Sequence, residues 1–121
     1  MITLKIQERE IPLLFNTGVW GDIEENICDL AMLEETLKGK QRVNTVLRLV
    51  WLMGNEGLKK AGETPDLTVE WLRDAVHPAK LRECREAVLK AVEKGMRMED
   101  ADGKEKDLSL EKALKKEDAG N

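Results

Sequence analysis

The chain has 121 residues, 41% of them apolar and 36% charged, with 20 Lys and Arg against 24 Asp and Glu for a net charge of −4. That length makes one domain, or one domain and a tail, and buries roughly two-thirds of the unfolded surface without added staples. The acidic balance speaks against a nucleic-acid partner, and the longest apolar run, Leu49 to Met53, is far below the ~20 residues of a membrane span.

Ile2, Leu4 and Ile6 alternate with Thr3, Lys5 and Gln7, the period-two pattern of a half-buried strand. The opening residues lack a basic lead followed by an apolar stretch, so no signal peptide is expected. Alternation resumes at Ile11, Leu13 and Phe15, which predicts a hairpin with its turn near Glu8-Arg9. Pro12 cannot donate to a ladder, so the second strand is expected at an edge or with its nitrogen toward solvent. Asn16 or Thr17 can cap a helix that carries Val19, Trp20, Ile23 and Ile27 on one stripe. Asp22, Glu24 and Glu25 are expected on its early, outer side, where the helix dipole favours acids. Leu30, Leu33 and Leu37 extend the pattern into a short helix ending at Gly39.

Val43 to Leu58 comes next, with Val43, Val46, Leu47, Val50, Met53 and Gly54 on one side. Leu49, Trp51 and Leu52 widen that stripe until little polar face is left, the mark of a central helix. Gly54 and Gly57 within it predict close helix–helix approach or a local bend. A loop follows over Gly62 to Asp66, and Thr68 caps a short helix through Val69, Leu72, Ala75 and Val76. His77-Pro78 ends that helix, and Pro78 suits the first turn of the next. The last helix turns Leu81, Cys84, Val88, Ala91 and Val92 inward and stops near Gly95. Its outer face pairs Arg82 with Glu86, Glu86 with Lys90, and Glu93 with Arg97.

Residues 99–121 hold eight acids and five lysines but only three leucines and three alanines, too little to bury as a unit. The expected fold is therefore α+β: an N-terminal β-hairpin packed against a mainly α-helical body of about four to five helices over 1–98, followed by a flexible acidic tail over 99–121. Asp107 to Lys116 is expected to be at most transiently helical, with Leu108, Leu110 and Leu114 as anchors for a partner groove.

No catalytic, cofactor or metal constellation emerges from the pattern. His77 is the only histidine, at a helix junction without a neighbouring nucleophile, and reads as a capping or surface residue. Cys28 and Cys84 read as small core hydrophobes, and two lone thiols point to a reducing compartment. Adjacent acids such as Glu24-Glu25 and Glu34-Glu35 do not share a helix face, so none forms a clamp. The basic residues of the last helix are interleaved with Glu83, Glu86 and Glu93, which breaks up any positive stripe. Trp20 and Trp51 fall within apolar stripes and read as core. Trp71 reads as edge-of-core packing or as a partly exposed interface anchor.

This order of elements resembles the tail assembly chaperones of long-tailed bacteriophages and related prophages. Four segments carry the likeness over about 1–98: Ile2 to Phe15 (ITLKIQEREIPLLF), Gly18 to Ile27, Val46 to Gly57 (VLRLVWLMGNEG) and Leu67 to Leu72 (LTVEWL). The resemblance implies a non-enzymatic protein of the infected bacterial cytoplasm, absent from the mature virion, that binds the tape measure protein and the tail tube subunit. It further implies a longer form made by ribosomal frameshifting in many members, and it allows a homo-oligomer. From another class, a small phage- or prophage-encoded antitoxin or inhibitor of a host enzyme would also use an acidic tail that folds on a partner. An enzyme using His77 with Cys28 or Cys84 is the third reading. The division at residue 98 predicts that deleting 99–121 leaves the melting temperature, followed by circular dichroism, nearly unchanged; a large drop would place part of the tail in the core.

Overall fold

The computed structural model describes residues 1–99 and 105–106. The expected Asp107 to Lys116 helix and the anchors Leu108, Leu110 and Leu114 lie outside the described residues.

The fold is α+β. Strands β1 (Ile2–Ile6) and β2 (Arg9–Leu13) form an antiparallel hairpin, with Ile2 opposite Leu13, Leu4 opposite Ile11 and Ile6 opposite Arg9. The turn is Gln7-Glu8, one residue earlier than the pattern predicts, and Gln7 takes the left-handed φ of +56° that a two-residue hairpin loop demands. Bonded and non-bonded pairs alternate outward from Ile6 and Arg9, which puts Thr3 and Pro12 on a pair that exchanges no ladder bonds. Proline there costs no hydrogen bond. Leu4, Ile6, Ile11 and Leu13 are buried on one face, whereas Thr3, Lys5 and Glu10 on the other are exposed.

Five helices complete the body: α1 (Thr17–Asn26), α2 (Leu33–Thr36), α3 (Arg42–Lys60), α4 (Val69–Ala75) and α5 (Leu81–Gly95). Asn16 is the N-cap of α1, its Oδ1 accepting from Val19 N–H at 2.9 Å. The acids of α1 do not serve its dipole, because the first turn contains none. Glu24 instead reaches forward to accept from Leu30 N–H at 3.1 Å and starts the 3₁₀ turn Leu30–Met32 that leads into α2. Leu30, Leu33 and Leu37 are all buried.

Helix α3 is the centre of the molecule. Thr45, Val46, Leu47, Leu49, Val50, Met53 and Leu58 are buried along it. Val43, expected on the buried stripe, is 48% exposed. It stands in the first turn, about 15 Å along the axis from the Met53–Gly57 stretch on which the hairpin rests.

Gly54 and Gly57 admit the hairpin rather than another helix or a bend. A Cβ at 57 would overlap the Pro12 carbonyl oxygen, and one at 54 would lie 2.5 Å from Leu67 Cδ1 and 2.9 Å from Ile11 Cγ2. The approach is so close that Leu14 N–H donates to the Met53 carbonyl at 3.0 Å, from strand exit to helix backbone.

Thr68 caps α4 by accepting from Trp71 N–H at 3.0 Å. A 3₁₀ turn at Pro78–Lys80 precedes α5, which buries Cys84, Val88, Ala91 and Val92 and leaves Leu81 half-buried. On its outer side Arg82 pairs with Glu86 at 3.5 Å and Arg97 with Glu93 at 2.8 Å, and no Glu86–Lys90 pair is formed among the described residues. These exposed pairs add at most about 1 kcal/mol each. After α5, β3 (Met98–Glu99) and β4 (Glu105–Lys106) make a two-residue antiparallel ladder that the sequence pattern does not reveal. Among the described residues no helix is long and apolar enough to cross a membrane.

Two alanine substitutions separate the role of backbone contact from helix propensity. Gly57→Ala should lower stability by about 3 kcal/mol or more, because the added carbon meets strand backbone that cannot move alone. Gly21→Ala, in α1 with nothing within 4 Å of the added carbon, should raise stability by about 0.5–1 kcal/mol. Urea unfolding checks both; equal effects would remove the contact as the cause.

Candidate functional site

Titratable side chains gather at the turn end of the hairpin, where it meets the junction of α4 and α5. A cleft of about 480 Å³ opens there over Leu4, Ile6, Ala75 and Val76, and Lys5, His77, Lys80, Glu83 and Cys84 also line it. Strand alternation puts Lys5 at its rim, while the helical spacing of Lys80, Glu83 and Cys84 brings these three to one end of α5.

Local structure already uses most of this chemistry. His77 is the N-cap of the 3₁₀ turn, with Nδ1 accepting from Ala79 N–H at 3.0 Å, which leaves the proton of the neutral ring on Nε2. Lys80 is 3.5 Å from Glu83. Burial, reinforced by the neighbouring Glu83 carboxylate, pushes the Cys84 thiol up to about 11. At neutral pH it is therefore a thiol and a poor nucleophile. Cys28 is half-buried near the end of α1, and both cysteines are free. The structure thus brings His77 and Cys84 to one cleft without activating the sulfur. Among the described residues no group of three or more His, Cys, Asp or Glu is placed to hold a metal ion.

Trp71 lies elsewhere, half-buried against the core at the start of α4. The Arg9 guanidinium stands over its ring, 5.7 Å from the centroid, and also pairs with Asp66. That contact holds the Asp66 carboxyl below its ordinary range. The loop before α4 is fixed by Asn55, whose side chain accepts from Leu67 N–H at 2.9 Å and donates to the Leu67 carbonyl at 3.1 Å. Arg9 is the functional candidate that sequence reasoning missed, since no spacing rule joins it to residues 57 and more positions away. Trp20 and Trp51 are half-buried rather than fully enclosed. Trp20 packs against Phe15 with ring centroids 6.1 Å apart, and its Nε1 has no partner among the described residues.

Two smaller cavities flank α5. One of about 230 Å³ lies at the open end of the hairpin, between Ile2, Phe15, Ala91 and Lys94. The other, of about 240 Å³, sets Arg42, Arg82 and Arg85 around Leu37, Val46 and Leu81. Comparison of the chain with protein-family models, curated proteins and solved structures finds no match.

The two thiols should separate by reactivity and by pH. Ellman's reagent at pH 8 should titrate Cys28 in the folded protein and Cys84 only after unfolding. Because the folded thiol ionises near 11 against an ordinary 9, its share of stability is full below about 9 and is lost as pH rises toward 11. Urea melts of the parent should fall more steeply over that interval than those of Cys84→Ala; parallel slopes would rule out the buried thiol as the cause.

Proposed function

We propose that the protein is a non-enzymatic tail assembly chaperone of a long-tailed phage or prophage, binding the tape measure protein or the tail tube subunit in the host cytoplasm before they assemble. The observation that supports this reading is the convergence of three of the four segments that carry the resemblance. Ile11 of the hairpin, Gly54 of α3 and Leu67 of the Leu67–Leu72 segment are in mutual reach around the α3 glycine. Trp71, in the Leu67–Leu72 segment, lies under the guanidinium of Arg9, in the hairpin segment. Tryptophan and arginine are the residue types that dominate binding hot spots, and here each orients the other.

A holdase must release its client to a growing tube, so micromolar affinity, roughly −8 kcal/mol, suits the task. Co-expression with the neighbouring tube and tape measure genes, followed by pull-down, should recover a complex with at least one of them. Trp71→Ala should weaken that complex about tenfold or more while leaving the melting temperature within a few degrees of the parent. Absence of any complex, in a system whose tails otherwise assemble, would sink the reading.

A further inference from the structure

Acids and bases are interleaved along α5 in the sequence, but the folded helix sorts them. Lys80 and Glu83 stand 3.5 Å apart in the cleft at the hairpin turn. Arg82 and Arg85, three residues apart, line a different cavity, of about 240 Å³. There they meet Arg42, the first residue of α3, over a floor of Leu37, Val46 and Leu81. Leu37 and Val46 are buried, so the core fixes that floor. No acidic residue lines the cavity.

Its charges are only partly met among the described residues. Glu86 faces Arg82 Nε at 3.5 Å from outside the lining and offsets that one guanidinium. Arg42 Nη1 donates to the Gly39 carbonyl at 3.3 Å, a bond that orients the side chain without cancelling its charge. The Arg85 guanidinium is in neither an ion pair nor a hydrogen bond, although the residue is half-buried. Glu34 and Glu35, the acids that precede Leu37, are exposed and pair with none of the three arginines. Between Leu37 and Arg42 the chain adds Lys38 and Lys40 and no acid, and the first turn of α3 contains none.

Size and chemistry together choose the occupant. Small-molecule pockets run to about 300–1,000 Å³, whereas this cavity has room for one large apolar side chain. Guanidinium groups hold carboxylates through paired N–H donors. An apolar floor beneath uncompensated arginines therefore suits an apolar side chain with carboxylates beside it. The tail of this chain is a poor match, because its leucines fall in Asp107–Lys116, where two acids stand against three lysines. A second copy docked on the same face would set arginine against arginine.

We propose that this cavity binds an acidic segment of a partner protein. One leucine-sized side chain of the segment rests on Leu37, Val46 and Leu81, and flanking carboxylates meet Arg42 and Arg85. The site goes beyond the tail-assembly reading and does not depend on it.

The probe is the capped peptide Ac-EELEE-NH2, titrated into the full-length protein while backbone amide and arginine Nε–H signals are followed by NMR. Saturable shifts at Arg42, Leu81 and Arg85 are expected. Ac-EEAEE-NH2, which lacks the anchor, and Ac-QQLQQ-NH2, which lacks the charge, should each bind about tenfold or more weakly. Arg85→Gln breaks no ion pair of the fold, so it should melt within a few degrees of the parent while binding Ac-EELEE-NH2 about tenfold more weakly. Lys60→Gln makes the same charge change at the far end of α3 and should leave binding unchanged. Equal weakening by Lys60→Gln, equal binding of the alanine peptide, shifts confined to another surface, or no binding at millimolar peptide would overturn the proposal. Tighter binding of single-stranded oligo-dT through the same arginines would overturn it in favour of a nucleic acid. So would a dimer that Arg85→Gln dissociates, or tighter peptide binding by full-length Leu110→Ala, because a second copy or the chain's own tail would then fill the cavity.

Discussion

The contact between Gly57 and the Pro12 carbonyl decides how the rest of the chain is arranged. A two-stranded hairpin is marginal in water and needs cover on its apolar face. Helix α3 gives that cover at backbone distance, because at Gly54 and Gly57 no side chain intervenes. The same helix then reaches both ends of α1 and the loop before α4 through polar side chains. Glu56 accepts from Asn16 at the start of α1, Arg48 donates to the Asn26 carbonyl at its end, and Asn55 holds Leu67 at both backbone atoms. Displacing the hairpin from α3 would therefore loosen the α1 cap and the loop before α4 together.

This economy of contacts explains why the clefts hold little free chemistry. Asn16, Glu24, Thr68 and His77 each satisfy a backbone N–H at a helix start, where an unmet donor would cost about 1 kcal/mol or more. A side chain committed to a cap is oriented for the cap and not for a substrate. Cys84 is held neutral by the packing that makes it useful in the core. What the fold turns outward is of another kind: a tryptophan under an arginine, and three arginines around an apolar cavity.

Much of the architecture was legible because it rests on periodicity. Alternation at Ile2, Leu4 and Ile6, and again at Ile11 and Leu13, marks the buried face of the hairpin, and the broad apolar stripe of α3 marks the central helix. Caps at Asn16 and Thr68 follow from side-chain chemistry that acts over three residues. The misses are contacts between segments far apart in the chain. Gly54 and Gly57 signal close approach in the sequence, but whether a helix or a strand fills the space depends on tertiary packing. Val43 carries the right phase for the core yet lies a few turns beyond the hairpin. Glu24 looks like a dipole partner but is too late in α1, and finds Leu30 instead. Arg9 reads as a turn residue because Trp71 and Asp66 are distant in sequence. Trp71 was visible as a candidate from its position beside Leu72, and the partner that orients it was not.

The two strands of the hairpin meet their helices unequally, and the difference follows from which helix carries glycine. Helix α3 places Gly54 and Gly57 against β2, so it reaches the strand backbone at Pro12 and Leu14. Helix α5 meets β1 with Cys84, Val88 and Ala91, and its glycine, Gly95, comes only at the end, against Phe15. A helix that presents side chains packs on side chains, about 10 Å from the sheet, and cannot approach a strand's peptide groups. Covering β1 on its apolar face therefore leaves the outward amides of Thr3 and Lys5 unmet by α5. The asymmetry is a consequence of where three glycines fall: the Pro12–Leu14 end of β2 is bound into the body, whereas α5 leaves the backbone of β1 untouched.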